Sequence, residues 1–571
     1  MKKLQKSIAL ALSTIFLGTF AACGKTGGGV SVDEYGNTVY ELVFYRARAN
    51  NMTTGTAEEA VTEALENKFY EDTGTKISLT MNVLEVEDLE QKINVGVGNS
   101  KVKIDAFSSS LAADSSSSLV YKFCSDAYGS AKDLTTMIET YAPDYLKLIR
   151  DNDEANLVER SSYFMIDDQM QYKALTSVYN TNYYALMLRK DYWQKAYEEG
   201  KTSLDPELYD ISKEGYQHLT LAQFENVMMA IKQTVEEVTY PVTGYSWDVA
   251  RTIGASCFDT KLNWVIDDEG NLIPYQFSKE YGELLELCRK WANNGIWEKD
   301  STSTTDDTRT NNFLAGKHAA YLVYPDVEQL VGISNRLKSY DSSSECMLIA
   351  PLKADENTET YGFYSQPAAF QGLCIPYDGN NTEVLLQFVN WLYKDAENYE
   401  LAKYGIKGEH WIEGQEYKTT VDGKSYTYKT WAYPTAKIAE YSKNKPYSGC
   451  WELLVNVDLS ERLNDTWSPA QKNWYVYATK VCERQSTEKS VQGIMLPEAL
   501  STMNTNPYTQ CISNAATIYG NAIAGKMYKE YATITDAILA VRAEALSTAT
   551  EMLDYYEGKY KAYVEWFDDN L

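Results

Sequence analysis

Hydrophobic and polar positions along this chain follow two periods, and the order in which the periods alternate predicts its architecture. Tyr40 to Tyr45 is a short apolar run of the kind a buried strand shows. Val61, Ala64, Leu65 and Phe69 then fall at i, i+3, i+4 and i+8, which is one face of a helix, and Gly74 supplies its stop. Ile77, Leu79, Met81 and Val83 alternate as a strand, and Leu89, Ile93 and Val97 mark a second helix face. Val102 to Phe107 reads as a third strand that runs into Ser108, Ser109 and Ser110. Strand, helix, strand, helix, strand is the pattern of a parallel sheet, whose ligands sit at the carboxyl ends of the strands. The loops after Tyr45 and Phe107 are therefore the first places to look for a site.

Farther along, Thr220 and Gln223 make a capping box before the apolar face Phe224, Val227, Met228 and Ile231. Tyr281, Leu284, Leu285 and Cys288 define another helix that stops at Gly295. Asn263 to Tyr275, with the turn Asp268-Glu269-Gly270-Asn271, reads as a hairpin. Asp422-Gly423 between alternating segments signals a second hairpin with a type I′ turn. After Asn514 the pattern is helical almost to the end. No low-complexity linker cuts the body into sequential domains, so two lobes, if present, must be built from interleaved segments.

Lys2, Lys3 and Lys6 precede a mostly apolar run from Ile8 to Phe20, followed by Ala21 and Ala22, which is the layout of an export signal. Cys23 and Gly24 come next, and Phe20-Ala21-Ala22-Cys23 resembles the lipobox of bacterial lipoproteins, with Phe20 where an aliphatic residue is usual. That resemblance implies a diacylglycerol on Cys23, and Gly27 to Gly29 would serve as a flexible tether. The chain is thus expected to be exported and held by lipid at the outer face of the cell membrane.

Its 571 residues are enough for two or more core-bearing units. With 53 basic against 80 acidic residues the net charge is −27, a surface that repels nucleic acid and anionic lipid. Loss of residues 1–22 removes three positive charges and no negative ones, so the exported body is more acidic still. Eight cysteines remain beyond Cys23, none in a C-x-x-C, which is not a zinc pattern. Cys288 falls on an apolar helix stripe and reads as a small buried hydrophobe.

Several segments together carry a family resemblance. Phe69-Tyr70-Glu71-Asp72-Thr73-Gly74-Thr75-Lys76-Ile77 resembles the helix-to-strand junction of bacterial extracellular solute-binding proteins of family 1. Leu188-Arg189-Lys190-Asp191-Tyr192-Trp193, Trp291 to Ile296, and Phe313 to Ala320 are similar to further segments of that family, the last with His318 where alanine is usual. Asn390-Trp391-Leu392-Tyr393 and Tyr404-Gly405-Ile406-Lys407-Gly408-Glu409-His410-Trp411 resemble its larger carbohydrate-type lipoprotein branch. The matches stand in family order from residue 40 to about 545.

The resemblance implies an α/β, two-lobed periplasmic-binding-protein-like fold of type II, with interleaved lobes joined by a hinge. The expected parts are a signal peptide at 1–22, a lipid-anchored tether at 23–38, lobe I at 39–181 and 369–435, and lobe II at 182–368 and 436–571. It also implies a carbohydrate ligand, often an oligosaccharide, handed to the transmembrane subunits of an ABC permease. A monomer is expected, attached to the membrane by lipid only, without cofactor or metal and without nucleic acid.

Side-chain chemistry agrees by what it lacks and by what it abounds in. His218, His318 and His410 lie far apart, and neither H-E-x-x-H nor G-x-S-x-G occurs. Asp151-Asn152-Asp153-Glu154 has no EF-hand glycine or closing glutamate and reads as a solvated turn. In contrast, 46 Tyr and 12 Trp stand against 15 Phe. Such rings offer an apolar face to the C–H side of a sugar and a polar edge to its hydroxyls. Trp264, Trp291 and Trp391 have the periodicity of core. Candidates near strand ends or lobe crossings are Tyr183, Trp247 and Tyr324 for stacking and Arg46, Asn182 and Asp248 for hydrogen bonding, with Tyr45, Ser108 and Tyr364 beside them. Arg46 has the alternative of neutralising a surface carboxylate, and Asp248 of capping a helix. A secreted glycoside-processing enzyme and a surface adhesin or scaffold remain the competing function classes.

Overall fold

Helix Glu58–Thr73 shows how local sequence builds the first layer: acidic Glu58 and Glu59 begin it, and Gly74 ends it at φ 74°. Its buried stripe is Val61, Leu65 and Phe69, and Phe69 meets Phe388 and Trp391 edge-on at 5.7 and 5.5 Å. The computed structural model describes residues 29–48, 55–99, 101–110, 118–125, 129–152, 157–177, 184–262, 264–299, 304–323, 327–363, 371–456, 459–482, 494, 496, 502–529 and 531–571. Cys23, Asn182, Tyr183, Tyr324 and Tyr364 lie outside the described residues, and for Trp247 only the backbone is described.

The first sheet is organised around strand Thr38–Ala47. Lys76–Leu84 lies parallel on one edge, from Val39↔Lys76 to Ala47↔Leu84. The other edge is shared by Val30–Val32, antiparallel at the start, and Ala106–Ser110, parallel at the end. Gln371–Cys374 then pairs antiparallel with Ala106–Ser110, and Ala174–Thr176 pairs with it in turn. The expected third strand is thereby displaced. It begins at Ala106 and includes the serines read from sequence as the start of a loop, because Gln371, Gly372 and Leu373 pair with Ser110, Ser109 and Ser108.

The second sheet runs Cys346–Ile349, Leu186–Arg189, Ala320–Leu322, Val242–Gly244, with the last pair parallel and Leu186–Arg189 antiparallel to both neighbours. Helix Leu221–Thr234 carries the expected capping box, with Thr220 Oγ1 accepting the Gln223 N–H and Gln223 accepting the Thr220 N–H at 3.2 and 2.8 Å. Helix Lys279–Asn294 ends at left-handed Gly295, as its sequence predicts. Both hairpins form: Trp264–Ile266 with Leu272–Pro274, and Tyr417–Val421 with Lys424–Ala432 across Asp422 and Gly423, both at positive φ.

Two main cores result, built from interleaved segments. One packs the first sheet with helices Glu58–Thr73 and Thr382–Lys394 and with Tyr447, Trp451 and Leu454. The other packs the second sheet with helices Leu221–Thr234 and Lys279–Asn294, with Val421 and Tyr428 of the long hairpin, and with helices Asn506–Ile523 and Ile534–Thr548. The final helix, Thr550–Asn570, joins them. Its Leu553 belongs to the second core and its Tyr563 and Phe567 to the first, where Tyr563 Oη accepts the Met165 N–H at 2.7 Å. Trp291, Trp391 and Cys288 are core residues, as expected, and Trp264 packs against both cores. Among the described residues no helix is long and apolar enough to cross a membrane.

Candidate functional site

The carboxyl ends of the parallel strands are the first candidate region. Strand alternation sends Tyr45 and Arg46 to opposite faces of the first sheet. Tyr45 goes into a small core with Leu89, Ile93 and Phe107, where burial raises its phenol above the ordinary value and Lys92 Nζ lies 5.9 Å from the ring centroid. Arg46, only 6% exposed, stands beside Ser108 in register. Its Nη1 donates to the carbonyls of Gly449, Cys450 and Glu452 at 3.3, 2.7 and 2.9 Å. Ser108 Oγ donates to Leu453 O at 3.2 Å and accepts from Gln371 Nε2 at 2.9 Å. Together the two side chains hold segment 449–453 over the strand ends, so both act from inside the sheet and not from the loops after it.

That segment brings further polar groups. The Glu452 carboxylate accepts from Tyr399 Oη and lies 3.3 Å from Lys403 Nζ. Burial opposes the charge on Lys403, but Glu452, with the more distant Glu328 of helix Val327–Tyr340, outweighs it and keeps the ammonium protonated.

The second candidate region follows strands Val242–Gly244 and Ala320–Leu322, which pair in parallel. Gly244 faces Leu322 so closely that a Cβ there would stand 2.7 Å from Leu322 Cβ. Asp248 is 1% exposed, and its carboxylate accepts the Tyr245 N–H at 3.3 Å, a return bond at the start of helix Ser246–Val249. This bond is of the kind the capping alternative for Asp248 describes, made from within the first turn. Tyr245 lies under the buried Arg309 guanidinium, 3.8 Å from the ring centroid. Ser246 Oγ donates to Tyr519 Oη at 2.7 Å, and Arg251 sits 5.7 Å from the ring of Tyr184.

The sequence reading passed over Tyr184, Tyr245, Ser246, Arg251, Arg309 and Tyr519. For Tyr245 and Ser246 the signal was available, since they directly precede Trp247 in the same turn. Arg309 and Tyr519 come from distant helices and had none. Asn182, Tyr183, Trp247, Tyr324 and Tyr364 cannot be placed against these neighbours, because their side chains lie outside the described residues.

Cavities and histidines do not compete with this region. A cavity of about 350 Å³ is lined by Glu400, Tyr428, Lys429, Glu461, Arg462 and Lys480 among others, and within it Glu400 pairs with Arg462 and Glu461 with Lys480. A second, of about 230 Å³, lies beside the short hairpin and Arg542. Neither is lined by a sequence candidate. His318 Nδ1 pairs with Tyr240 O at 2.6 Å, His218 Nδ1 with Pro351 O at 2.7 Å, and His410 Nδ1 accepts the Ile406 N–H at 3.0 Å. Each ties backbone to backbone. Among the described residues no three His, Cys, Asp or Glu side chains stand together as metal ligands would.

Two open sheets with separate cores, a chain that passes between them and returns, and strand carboxyl ends in each define the two-lobed α/β fold of solute-binding proteins. Solved structures bear this out over nearly the whole chain. The N-glycan transport solute binding protein NgtS from Streptococcus pneumoniae superposes with a TM-score of 0.55 at 13% identity, covering 91% of this chain and 99% of its own. An extracellular solute-binding protein from Bifidobacterium longum subsp. infantis gives 0.59 at 14%, covering 93% and 100%. The Streptococcus pneumoniae ABC-transporter substrate binding protein FusA, solved with kestose, gives 0.54 at 12%, again covering 93% and 100%. No family model and no curated protein matches the sequence. At such identities the likeness establishes the periplasmic-binding-protein-like fold.

Proposed function

We propose that this chain is the substrate-binding protein of an ABC importer and captures an oligosaccharide between its two lobes. The observation that carries the reading is the end-to-end overlap, above 90% of both chains, with NgtS, an N-glycan transport solute binding protein, and with FusA, solved in complex with kestose. The abundance of tyrosine and tryptophan over phenylalanine supports it, since those rings suit neutral, hydroxylated ligands. Tyr183, Trp247, Tyr324 and Tyr364 are the proposed stacking groups, with Asn182 and Asp248 as hydrogen-bonding groups and Tyr45, Arg46 and Ser108 shaping the first of two walls.

The mechanism is a population shift. A ligand that touches both walls binds the closed arrangement more tightly than the open one, and it moves the equilibrium by that difference alone. The closed form is then what the permease engages, and the ligand leaves unaltered. A lipid on Cys23 would hold the protein beside its transporter and raise its local concentration.

A thermal-shift panel of mono- and oligosaccharides, with product analysis of each mixture, tests the proposal, because binding to the native state raises the melting temperature by mass action. A shift of several degrees with an unchanged sugar is expected. Steady hydrolysis would replace this reading by a glycosidase, and a silent panel would remove the carbohydrate assignment.

A further inference from the structure

A row of aromatic side chains begins at the end of helix Ala396–Tyr404, beside segment 449–453. Helix Ala396–Tyr404 ends at Tyr404, whose ring lies 5.6 Å from that of Trp431 at the end of strand Lys424–Ala432. Trp431 lies 5.4 Å from Tyr433, and Tyr433 lies 5.6 Å from Tyr441. All four are half-buried. The inner end is fixed by Trp411, which is buried, stands 5.3 Å from Tyr404 and donates its Nε1–H to Gly405 O at 2.9 Å.

Polar edges distinguish this row from the aromatics packed behind it. Trp391 Nε1 donates to Asp72, Trp451 Nε1 to Thr62, Tyr393 Oη to Leu454 O and Tyr447 Oη to Ala402 O. Among the described residues, by contrast, the hydroxyls of Tyr404, Tyr433 and Tyr441 and the indole N–H of Trp431 make no hydrogen bond to protein. The four rings are half-buried and meet tilted or edge-on, with Lys403 Nζ 5.5 Å from the Tyr404 ring and Lys437 Nζ 5.6 Å from that of Tyr441, and their polar edges are unspent, which suits a hydroxylated ligand.

The position of the row ties it to the site. Gly449 packs against the backbone of Lys403, a Cβ there standing 3.2 Å from Lys403 O, and segment 449–453 is the one Arg46 and Ser108 hold over the strand ends. Glu328, on a helix of the second core, is close enough to act electrostatically on Lys403 and Tyr404. The inner end of the row therefore lies beside segment 449–453, and the outer end is three ring-to-ring steps from it.

We infer that Tyr404, Trp431, Tyr433 and Tyr441 form an extension subsite for a neutral oligosaccharide, continuing the interlobe site outward and reading chain length. The inference rests on the proposed sugar-binding function and adds to it the residues that favour longer chains. Strongly anionic chains are disfavoured by the protein's net charge of −27.

Calorimetry with gluco-, manno-, xylo- and fructo-oligosaccharides of increasing length, each beside its monosaccharide, provides the test. In the series that binds, Trp431→Ala and Tyr433→Ala should each weaken the longer members about ten-fold while leaving the shortest binder within about two-fold. Trp431→Phe, which keeps an apolar face, should recover part of the loss. Oxidative footprinting of the unmodified protein needs no variant to fold: Trp431 and Tyr433 should be protected by the long sugar and not by the short one. Equal affinity of wild type and variants for long sugars, or unchanged labelling of both rings, overturns the subsite while leaving the transport reading intact. Equal weakening of short and long sugars also overturns it, by making the row part of the primary site. If no sugar binds the wild type, the function itself fails and the subsite with it.

Discussion

Acidification to pH 4 tests whether burial of His318 is an energetic commitment. The imidazole is 3% exposed, its Nδ1 donates to Tyr240 O at 2.6 Å, and its buried Nε2 has no hydrogen-bond partner among the described residues. Burial is the main cause that lowers its pKa from 6.5 to about 4, and Lys317 and Arg309 push the same way. In the unfolded chain the same ring takes up its proton near 6.5. Between those values the unfolded state binds more protons, so the contribution is complete above 6.5 and is lost as the pH falls towards 4. A gap of this size corresponds to ~3 kcal/mol. Carboxylates held low by hydrogen bonds and cations, such as Asp72 and Glu413, lose stability in the same direction, so the wild-type curve alone cannot isolate the histidine. His318→Asn keeps an amide donor for the Tyr240 carbonyl and removes the titration. Urea unfolding of both proteins from pH 7.5 to 4 should show the wild type losing ~3 kcal/mol more than the variant. Parallel curves across that window would refute the reasoning.

Three other outcomes follow from the same geometry. Arg46→Met removes the donor shared by three carbonyls and should cost about 3 kcal/mol in urea unfolding, since hydrogen bonds to a buried charged group are among the strong ones; a loss below about 0.5 kcal/mol would show that segment 449–453 holds itself in place. Gly244→Ala should destabilise the second sheet by about 1–3 kcal/mol, because the new methyl would meet both the side chain and the carbonyl of Leu322, and an unchanged melting temperature would contradict that crowding. The eight described cysteines are all buried, and burial pushes the thiols of Cys257, Cys288 and Cys346 up to about 12. In protein purified under reducing conditions, a thiol-specific reagent at pH 7.5 should label them only after denaturation, and rapid labelling of the native protein would count against the packing.

Most of the local architecture was legible from the chain. Gly74 and Gly295 end their helices where the pattern placed them, the Thr220 box caps its helix with both bonds, and Asp422-Gly423 turns its hairpin. Each depends on residues a few positions apart, so short-range sterics and hydrogen bonding suffice to decide it. The family resemblance added the two-lobed fold, which the superpositions support. Less of the site was legible. Arg46 and Ser108 were identified as important positions, but as loop residues open to a ligand, whereas each is embedded in a strand and bound to segment 449–453.

The sequence by itself determined where the capped helices stop and the hairpins turn, which helix faces are buried, and that the body is strongly acidic and rich in tyrosine. Tertiary structure alone decided that Gln371–Cys374 completes the first sheet and that a segment some 400 residues from Arg46 closes over its strand ends. It also decided that Tyr404, Trp431, Tyr433 and Tyr441 stand in one row. The physical reason is the range of the interactions. Helix stops, caps and tight turns are settled by neighbours in the chain, while a strand's partner and a site's walls are chosen by burial among segments that only the completed fold brings together.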